Sequence, residues 1–496
     1  MSIAKLIIKD EVNVKIEGLE LTDRKTLCNK FKYEIPGARF QPSVRLGRWD
    51  GKVAFFQLGG TTYVNLLSEI IPYLYDRGYN VELQDLRTYS THYQFNQVTE
   101  DTFKNKVWPE KHPMSGQPVV LRDYQIDIIN KFLENPQCIQ EVATGAGKTL
   151  ITAALSHSCE QHGRTIVIVP NKSLVSQTEA DYRNLGLDVG VYFGDRKEFG
   201  HIHTICTWQS LNILLKNSQT CTEPSSFRLL RDPKNVTIQD FINDVVCVIV
   251  DEVHMAKADA LKTLLTGVMS HIPIRWGLTG TVPKELYEFA SLKCSIGEVI
   301  GQLSASELQN QGVLANCHVN ILQLTDYVEY KDYQSELKYL LENDDRLKYI
   351  STIVERLRVD GNTLVLVDRI APGKALVELI DGATFVSGGT KANDRKEQYD
   401  EIATSDNRVI VATYGVAAVG INIPRIFNLV LVEPGKSFVR VIQSIGRGIR
   451  KAEDKDFVQI YDITSTCKFA KRHLTKRKAF YKDANYPFTV EKIEWQ

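Results

Sequence analysis

An eight-residue turn, Val142-Ala-Thr-Gly-Ala-Gly-Lys-Thr149, restricts the fold more than any other stretch of the chain. A glycine turn ending in Lys-Thr wraps its backbone N–H groups around a phosphate chain only where it joins a strand to the first turn of a helix. Both flanks are in place: Cys138 to Val142 is an apolar, strand-sized run, and a helical pattern starts near Lys148. In such a turn Thr144, Gly145, Ala146 and Gly147 form the cradle, with the glycines letting the backbone approach the anion without a Cβ in the way. Lys148 would sit on the β- and γ-phosphates, and Thr149 would offer its hydroxyl to Mg2+. The first glycine of the usual pattern is replaced by Val142. On this turn alone a kinase, a GTPase, a transporter ATPase and a helicase all remain open.

The surroundings narrow the fold. Thr165 to Val169, His203 to Cys206, Val245 to Val250 and Arg275 to Leu278 are further apolar runs separated by helical patterns. Strands that are apolar on both faces and spaced by helices predict a parallel sheet with helices on either side. The scheme repeats at Thr363 to Val367, Ala383 to Val386, Arg408 to Ala412, Leu429 to Val432 and Val458 to Tyr461. The expected fold class is therefore α/β, with two tandem parallel-sheet halves at residues 119–314 and 319–496. Ahead of them residues 1–95 read as a small α+β module, with strands near Lys5 to Ile8, Val12 to Ile16, Lys52 to Gln57 and Thr62 to Leu66 and helices near Thr22 to Phe31 and Leu67 to Arg77. Residues 96–118, polar and holding Pro109, Pro113 and Pro118, read as a connector.

A chain of 496 residues has ample length for several cores, and no run approaches the ~18 apolar residues of a membrane span. Charges interrupt the N-terminal segment where an export signal needs an apolar core, so the expectation is a protein that stays in the cytoplasm where it is made. Nine cysteines are scattered without a Cys-x-x-Cys pair, which predicts reduced, mostly buried thiols. Sixty basic residues balance sixty acidic ones, so any grip on a polyanion has to be local. Two segments qualify. Arg39, Arg45, Arg48 and Lys52 face one acid, Asp50, with Phe40, Trp49, Phe55 and Phe56 interleaved. Lys468 to Lys482 holds Lys471, Arg472, Lys476, Arg477 and Lys478 with no acid. A solvated helix face explains each of these equally well when taken alone.

Three constellations carry chemistry. Asp251-Glu252-Val253-His254 follows Val245 to Val250 directly, placing two carboxylates at the C-terminal edge of a buried strand, where α/β sheets hold ligands. Asp251 is assigned to the metal and Glu252 to the attacking water. Upstream, Gln125 of Leu121-Arg-Asp-Tyr-Gln125 opens a helix, and its amide can both donate to and accept from an adenine edge, with Arg122 a second contact. In the last half, Gln443-Ser-Ile-Gly-Arg447-Gly-Ile-Arg450 sets two arginines three apart on one helical face. A fork of donors of this kind suits a γ-phosphate gathering charge in the transition state.

Together these residues resemble a superfamily two helicase over Leu121 to Ile463. Leu121 to Gln125 resembles the Q motif, Val142 to Thr149 motif I, Val169 to Gln177 motif Ia, Cys206 to Ser210 motif Ic, Asp251 to His254 motif II and Leu278 to Thr281 motif III. Leu364 to Asp368, Thr413 to Pro424 and Gln443 to Arg450 resemble motifs IV, V and VI. The resemblance implies two RecA-like motor domains, ATP with Mg2+ as cofactors, and Lys148, Asp251, Glu252, Gln443, Arg447 and Arg450 as catalytic residues. It also implies Gly420 near the nucleotide, and Thr279 and Thr281 coupling the ATP site to the strand. Pro170, Lys172, Ser173, Thr207, Gln209 and Thr413 become candidate phosphate contacts, reading no bases. Asn422 stands where many relatives carry aspartate, which removes a charge. The basic-aromatic stretch Pro36 to Lys52 is similar to the N-terminal signature of phage recombination and fork-remodelling helicases. That implies branched DNA as substrate, with Arg39, Arg45, Arg48, Trp49 and Lys52 as contacts, a functional monomer in a host cytoplasm, and phage recombination or single-strand-binding proteins as partners. An RNA helicase and a non-unwinding duplex translocase or ATP-gated clamp are the alternatives.

Overall fold

The computed structural model describes residues 2–88, 93–110, 115–218, 236–253, 258–390, 401–402, 404–416, 423, 425–437, 441, 444–446, 448–452 and 454–495. The chain falls into two compact units, one of residues 1–141 with 147–302, the other of residues 303–496 with 142–146.

The first unit opens on a four-stranded mixed sheet in the order β5-β2-β1-β6, from β1 (Ile3–Ile8), β2 (Asn13–Glu17), β5 (Thr61–Tyr63) and β6 (Asn80–Asp85). Strands β3 (Lys32–Glu34) and β4 (Lys52–Ala54) form a separate antiparallel ribbon. Alternation along β1 buries Ala4, Leu6 and Ile8 on one face, as a period of two requires. The helices Leu21–Lys30 and Leu67–Asp76 cover that face with Leu27, Ile70 and Leu74. Phe55 and Phe56 are fully buried in this core.

The main sheet of this unit has the order β10-β9-β11-β8-β12-β13-β7-β14. Its strands are β7 (Gln137–Val142), β8 (Arg164–Val169), β9 (Val189–Phe193), β10 (Arg196–Lys197), β11 (His203–Thr207), β12 (Val245–Asp251), β13 (Ile274–Thr279) and β14 (Glu298–Leu303). From β9 to β7 every pairing is parallel. β12 is buried at all its positions, which is why its first six residues, Val245 to Val250, are apolar without a break rather than alternating. The Arg275 guanidinium on β13 is fully buried and donates to the carbonyls of Leu265, Met269, Ile272 and Ser295. It thereby satisfies carbonyls at the ends of the helices Ala258–Thr266 and Leu286–Ser295. Burial pulls this group down to about 10.

The N-terminal sheet and the main sheet share packing. Tyr287, Ala290 and Cys294 of the helix Leu286–Ser295 complete the core around Phe55, and the Phe55 and Tyr287 rings lie 5.9 Å apart. The Lys262 ammonium sits 3.9 Å from the Phe55 ring centroid. Glu11 N–H donates to the Ser270 carbonyl, the Asn13 amide to the Thr266 carbonyl and the Gln137 amide to the Glu11 carbonyl. Hydrogen bonds of this kind to backbone carbonyls, together with the shared core, fix the small module to the motor domain beside it.

The second unit is an all-parallel sheet in the order β17-β18-β16-β19-β20-β15-β21. Its strands are β15 (Asn316–Leu324), β16 (Thr363–Val367), β17 (Thr384–Val386), β18 (Val409–Thr413), β19 (Asn428–Val432), β20 (Phe457–Ser465) and β21 (Phe488–Ile493). The fold is α/β, with two RecA-like parallel-sheet domains and a small mixed sheet ahead of them. Strands β6 and β21 escape a periodicity reading because both are solvent-facing edges with mostly polar or half-exposed residues. The acid-free run near the C-terminus is a single helix, Lys468–Asp483. Among the described residues, no helix is long and apolar enough to cross a membrane.

Candidate nucleotide site and nucleic-acid surface

The phosphate turn sits where β7 hands over to the helix Lys148–Cys159. Gly147 is the residue before that helix and has φ +82, and Gly145 has φ +94, a region that disfavours any side chain. A Cβ on Gly147 would also come within 2.6 Å of the Gln125 amide nitrogen. Gln125 therefore lies against the turn. It is buried, and its Oε1 accepts the Arg122 backbone N–H at 3.0 Å in a capping arrangement at the start of the helix Asp123–Glu134. Arg122 itself is exposed and donates to the Tyr124 hydroxyl.

Sheet order explains how three motifs meet. β13 lies between β12 and β7, so the end of β13 is flanked by the two carboxylates on one side and the phosphate turn on the other. Lys148 Nζ is 3.0 Å from Glu252 Oε1, with both side chains about 10% exposed. Gly280 N–H donates to Glu252 Oε2 at 3.3 Å. Glu252 has φ +52, a left-handed conformation that costs a non-glycine residue on the order of 1–3 kcal/mol and points to a constrained site. Asp251 Oδ1 accepts the Glu252 N–H at 2.9 Å. The Thr279 hydroxyl donates to the Thr281 carbonyl and accepts from the Thr281 N–H, closing a tight turn.

Glu141 belongs to this site although the motif reading passed over it. Its Oε1 accepts the Val282 N–H at 3.3 Å, and desolvation by burial pushes its carboxyl above the usual range. The turn after β13 is thus held from both sides, by Glu252 at Gly280 and by Glu141 at Val282. The signal that could have found it is an acid in the strand immediately before a phosphate turn.

The proposed metal ligands fit a magnesium ion. The Lys148–Glu252 contact brings the helix start to the end of β12, and Thr149 and Asp251, each next in sequence to a member of the pair, would supply the hard oxygen donors that such an ion takes. Mg2+ keeps several waters and takes one or two protein oxygens, which is the donor set available here.

The candidate strand contacts lie at the edge of the same sheet. β8 and β11 are parallel neighbours with Val169 opposite Thr207, so Pro170, Lys172 and Ser173 share an edge with Gln209. The Gln209 amide donates to the Pro170 carbonyl at 3.4 Å. Lys172 and Gln209 are exposed, whereas Thr207 is buried with its hydroxyl within 2.9 Å of the Ser210 hydroxyl. In this structure the Thr207 hydroxyl serves the start of the helix Trp208–Ser218. Thr413 ends β18 in the second unit and is half-buried.

In the second unit Arg450 pairs with Leu314 in an isolated antiparallel bridge. Beside it Lys455 is 2% exposed and donates to the Gly448 carbonyl at 2.9 Å. Burial, reinforced by the Arg450 guanidinium, pulls the Lys455 ammonium down to about 7. His254, Gly420, Asn422, Gln443 and Arg447 lie outside the described residues.

The basic-aromatic segment projects from the β3–β4 ribbon. Arg39, Arg45 and Arg48 are exposed, the Arg39 guanidinium lies 4.8 Å from the Phe40 ring centroid, and Phe40 is 63% exposed. Trp49 is half-buried with its Nε1 donating to the Lys52 carbonyl, while Asp50 pairs with Lys32 at 2.6 Å.

A glycine turn at a helix start, a strand-end acid on the turn's lysine and a second parallel-sheet unit define a nucleoside triphosphatase of the RecA-like class. Residues 118–284 match the family model for the type III restriction enzyme res subunit, and residues 345–452 match that for the helicase conserved C-terminal domain. The chain is 24% identical to the ATP-dependent DNA helicase uvsW of Enterobacteria phage T4, covering 96% of this chain and 93% of that protein. It is 22% identical to the DNA 3'-5' helicase XPB of Mycobacterium tuberculosis, over 77% of this chain and 67% of that one. In fold it is similar to the ATP-dependent type ISP restriction-modification enzyme LlaBIII bound to DNA, with a TM-score of 0.52 and 15% identity over 87% of this chain and 36% of that one. The chain belongs to the superfamily two helicases and uses ATP.

Proposed function

We propose that this ATP-dependent DNA helicase works on branched DNA, unwinding or remodelling forks, R-loops and four-way junctions in recombination, replication and repair. The observation that supports this reading is the exposed Arg39-Phe40 to Arg48 segment, held on a module that shares a buried core with the first motor sheet. Cations on such a platform grip a duplex backbone, and the exposed Phe40 ring can stack on an opened base at the fork. Trp49, whose Nε1 donates to the Lys52 carbonyl, would scaffold the segment.

In the ATP cycle, Lys148 leaves Glu252 for the β- and γ-phosphates. Glu252, relieved of its cation, becomes free to orient the attacking water and take its proton. Because Gly280 N–H holds the same carboxylate, that change would reach the turn at Thr279 to Thr281. Thr149 and Asp251 would hold Mg2+, which would supply charge neutralisation at the phosphate oxygens. Arg450, with Gln443 and Arg447, would supply positive charge to the γ-phosphate in the transition state.

ATPase stimulation by single-stranded DNA, fork DNA, plain duplex and RNA, measured side by side with strand displacement, tests this reading. Strongest stimulation by forked DNA with displacement is expected. Stimulation by RNA alone would sink it, and stimulation without displacement would favour a translocase or clamp.

A further inference from the structure

The acid-free run that sequence alone left ambiguous is two-faced in the structure. In the helix Lys468–Asp483, Ala470, Leu474, Arg477 and Tyr481 are buried. Arg477 is locked by Asp462 through two hydrogen bonds, of 2.8 and 2.9 Å, and donates to the Gly435 carbonyl, while the Tyr481 hydroxyl donates to Asp462. At 100° per residue these four positions define one side of the helix. Lys468, Lys471, Arg472, Lys476 and Lys482 are exposed away from it, and none of them has an ion pair among the described residues. The buried arginine therefore anchors the helix, and the remaining cations are left as a solvent-facing stripe.

We propose that this stripe is a second DNA-binding surface, tracking the phosphate backbone of a duplex arm independently of the motor motifs. This rests on the reading that the chain acts on DNA. A stripe from residue 468 to 482 is roughly 21 Å long at 1.5 Å per residue. Along one strand, at about 3.4 Å per phosphate, that length matches roughly six phosphates. The positive field is concentrated there: desolvation, then Arg477, Lys436 and Lys476, pull the His473 imidazole down to about 4. Lys436, exposed on the loop that follows β19, extends the same field to the C-terminal edge of the sheet. The stripe offers no base-reading geometry beyond charge, so binding through it is independent of sequence.

The test is a full-length variant carrying Lys471→Gln, Arg472→Gln, Lys476→Gln and Lys482→Gln, compared with the native chain and with a Lys-to-Arg version of the three lysines. Binding to a fluorescent fork and a plain duplex is followed by anisotropy from 50 to 300 mM salt. With Z reduced by four and a slope of about −0.9 per phosphate contact, the log–log salt slope should flatten by about 3 to 4. Affinity at low salt should fall at least about tenfold, the arginine version should bind as the native chain does, and DNA-free ATPase should be unchanged. An unchanged slope in a folded variant overturns the proposal while leaving the DNA reading intact. A native chain that binds no DNA at low salt would remove the DNA reading and this proposal together.

Discussion

Glu252 and Glu433 hold the same place in their respective sheets. Each is the residue just past a buried parallel strand, Glu252 after β12 and Glu433 after β19. Each has a left-handed backbone, φ +52 and φ +44, and each pairs with a cation, Lys148 at 3.0 Å and Arg346 at 2.7 Å. Their surroundings then diverge. Glu252 faces Lys148, which on the proposed reading a phosphate chain draws away, and the Gly280 backbone N–H. Glu433 faces a cluster closed on itself: Arg346 also lies 3.6 Å from Asp326, Thr464 donates to Glu433, and Asp462 is taken by Arg477 and Tyr481. Three buried carboxylates against two buried guanidiniums leave one acid in excess. Glu433 takes that role, with burial pushing it up to about 7 against the opposing pull of Arg346 and Arg477. On the proposed reading, Glu252 takes up catalysis because its partner can leave it, whereas Glu433 stays within its closed cluster.

The sharpest break in this comparison is a matched pair of glutamines. Glu252→Gln should lower ATP turnover by about 10³-fold while ATP still binds, and Lys148→Ala should abolish turnover. Glu433→Gln should leave turnover within about threefold, so an equal loss in a folded Glu433→Gln variant would refute the division of roles. Arg450→Ala should spare ATP binding and cost about 10²- to 10³-fold in kcat, measured by steady-state hydrolysis. Normal turnover in that variant would make the second unit a passive partner in hydrolysis.

A pH comparison tests Glu433 directly. The folded chain keeps its proton to about pH 7, whereas the ordinary glutamate value is 4.5. Its contribution to stability is therefore present in full below about pH 4.5 and is lost as pH rises towards 7, by up to about 3 kcal/mol. Urea unfolding of the native chain and of Glu433→Gln between pH 4.5 and 8 should show the variant losing less stability as pH rises. Parallel curves would mean that the carboxyl is ionised throughout. The smallest expected effect is at the exposed N-terminal segment, where Arg45→Ala with Arg48→Ala should flatten the salt slope of fork binding by about 2 and leave basal ATPase intact. A full native slope would take those arginines out of the DNA contact.

Much of the fold was legible because the signals are local. Val245 to Val250 reads as a strand from its own residues, and the phosphate turn demands a strand before it and a helix after it. Edge strands β6 and β21 were not legible, since their residues face solvent and carry no periodic apolar signal. Glu141 and Lys455 were missed for another reason: a lone acid or lysine acquires its role from a partner, Val282 N–H or the Gly448 carbonyl, that no local pattern announces.

Two parallel-sheet units, the phosphate turn and the acids at the end of β12 follow from the residues alone, because backbone geometry and burial of apolar runs leave few alternatives. Which charges meet depends on how the strands and helices pack. That packing put Lys148 on Glu252, closed Arg346 and Arg477 over buried acids, seated Phe55 against Tyr287 and left one face of the helix Lys468–Asp483 to solvent. Those pairings join residues far apart in the chain, and strand order and side-chain packing set them, not the chemistry of either residue alone.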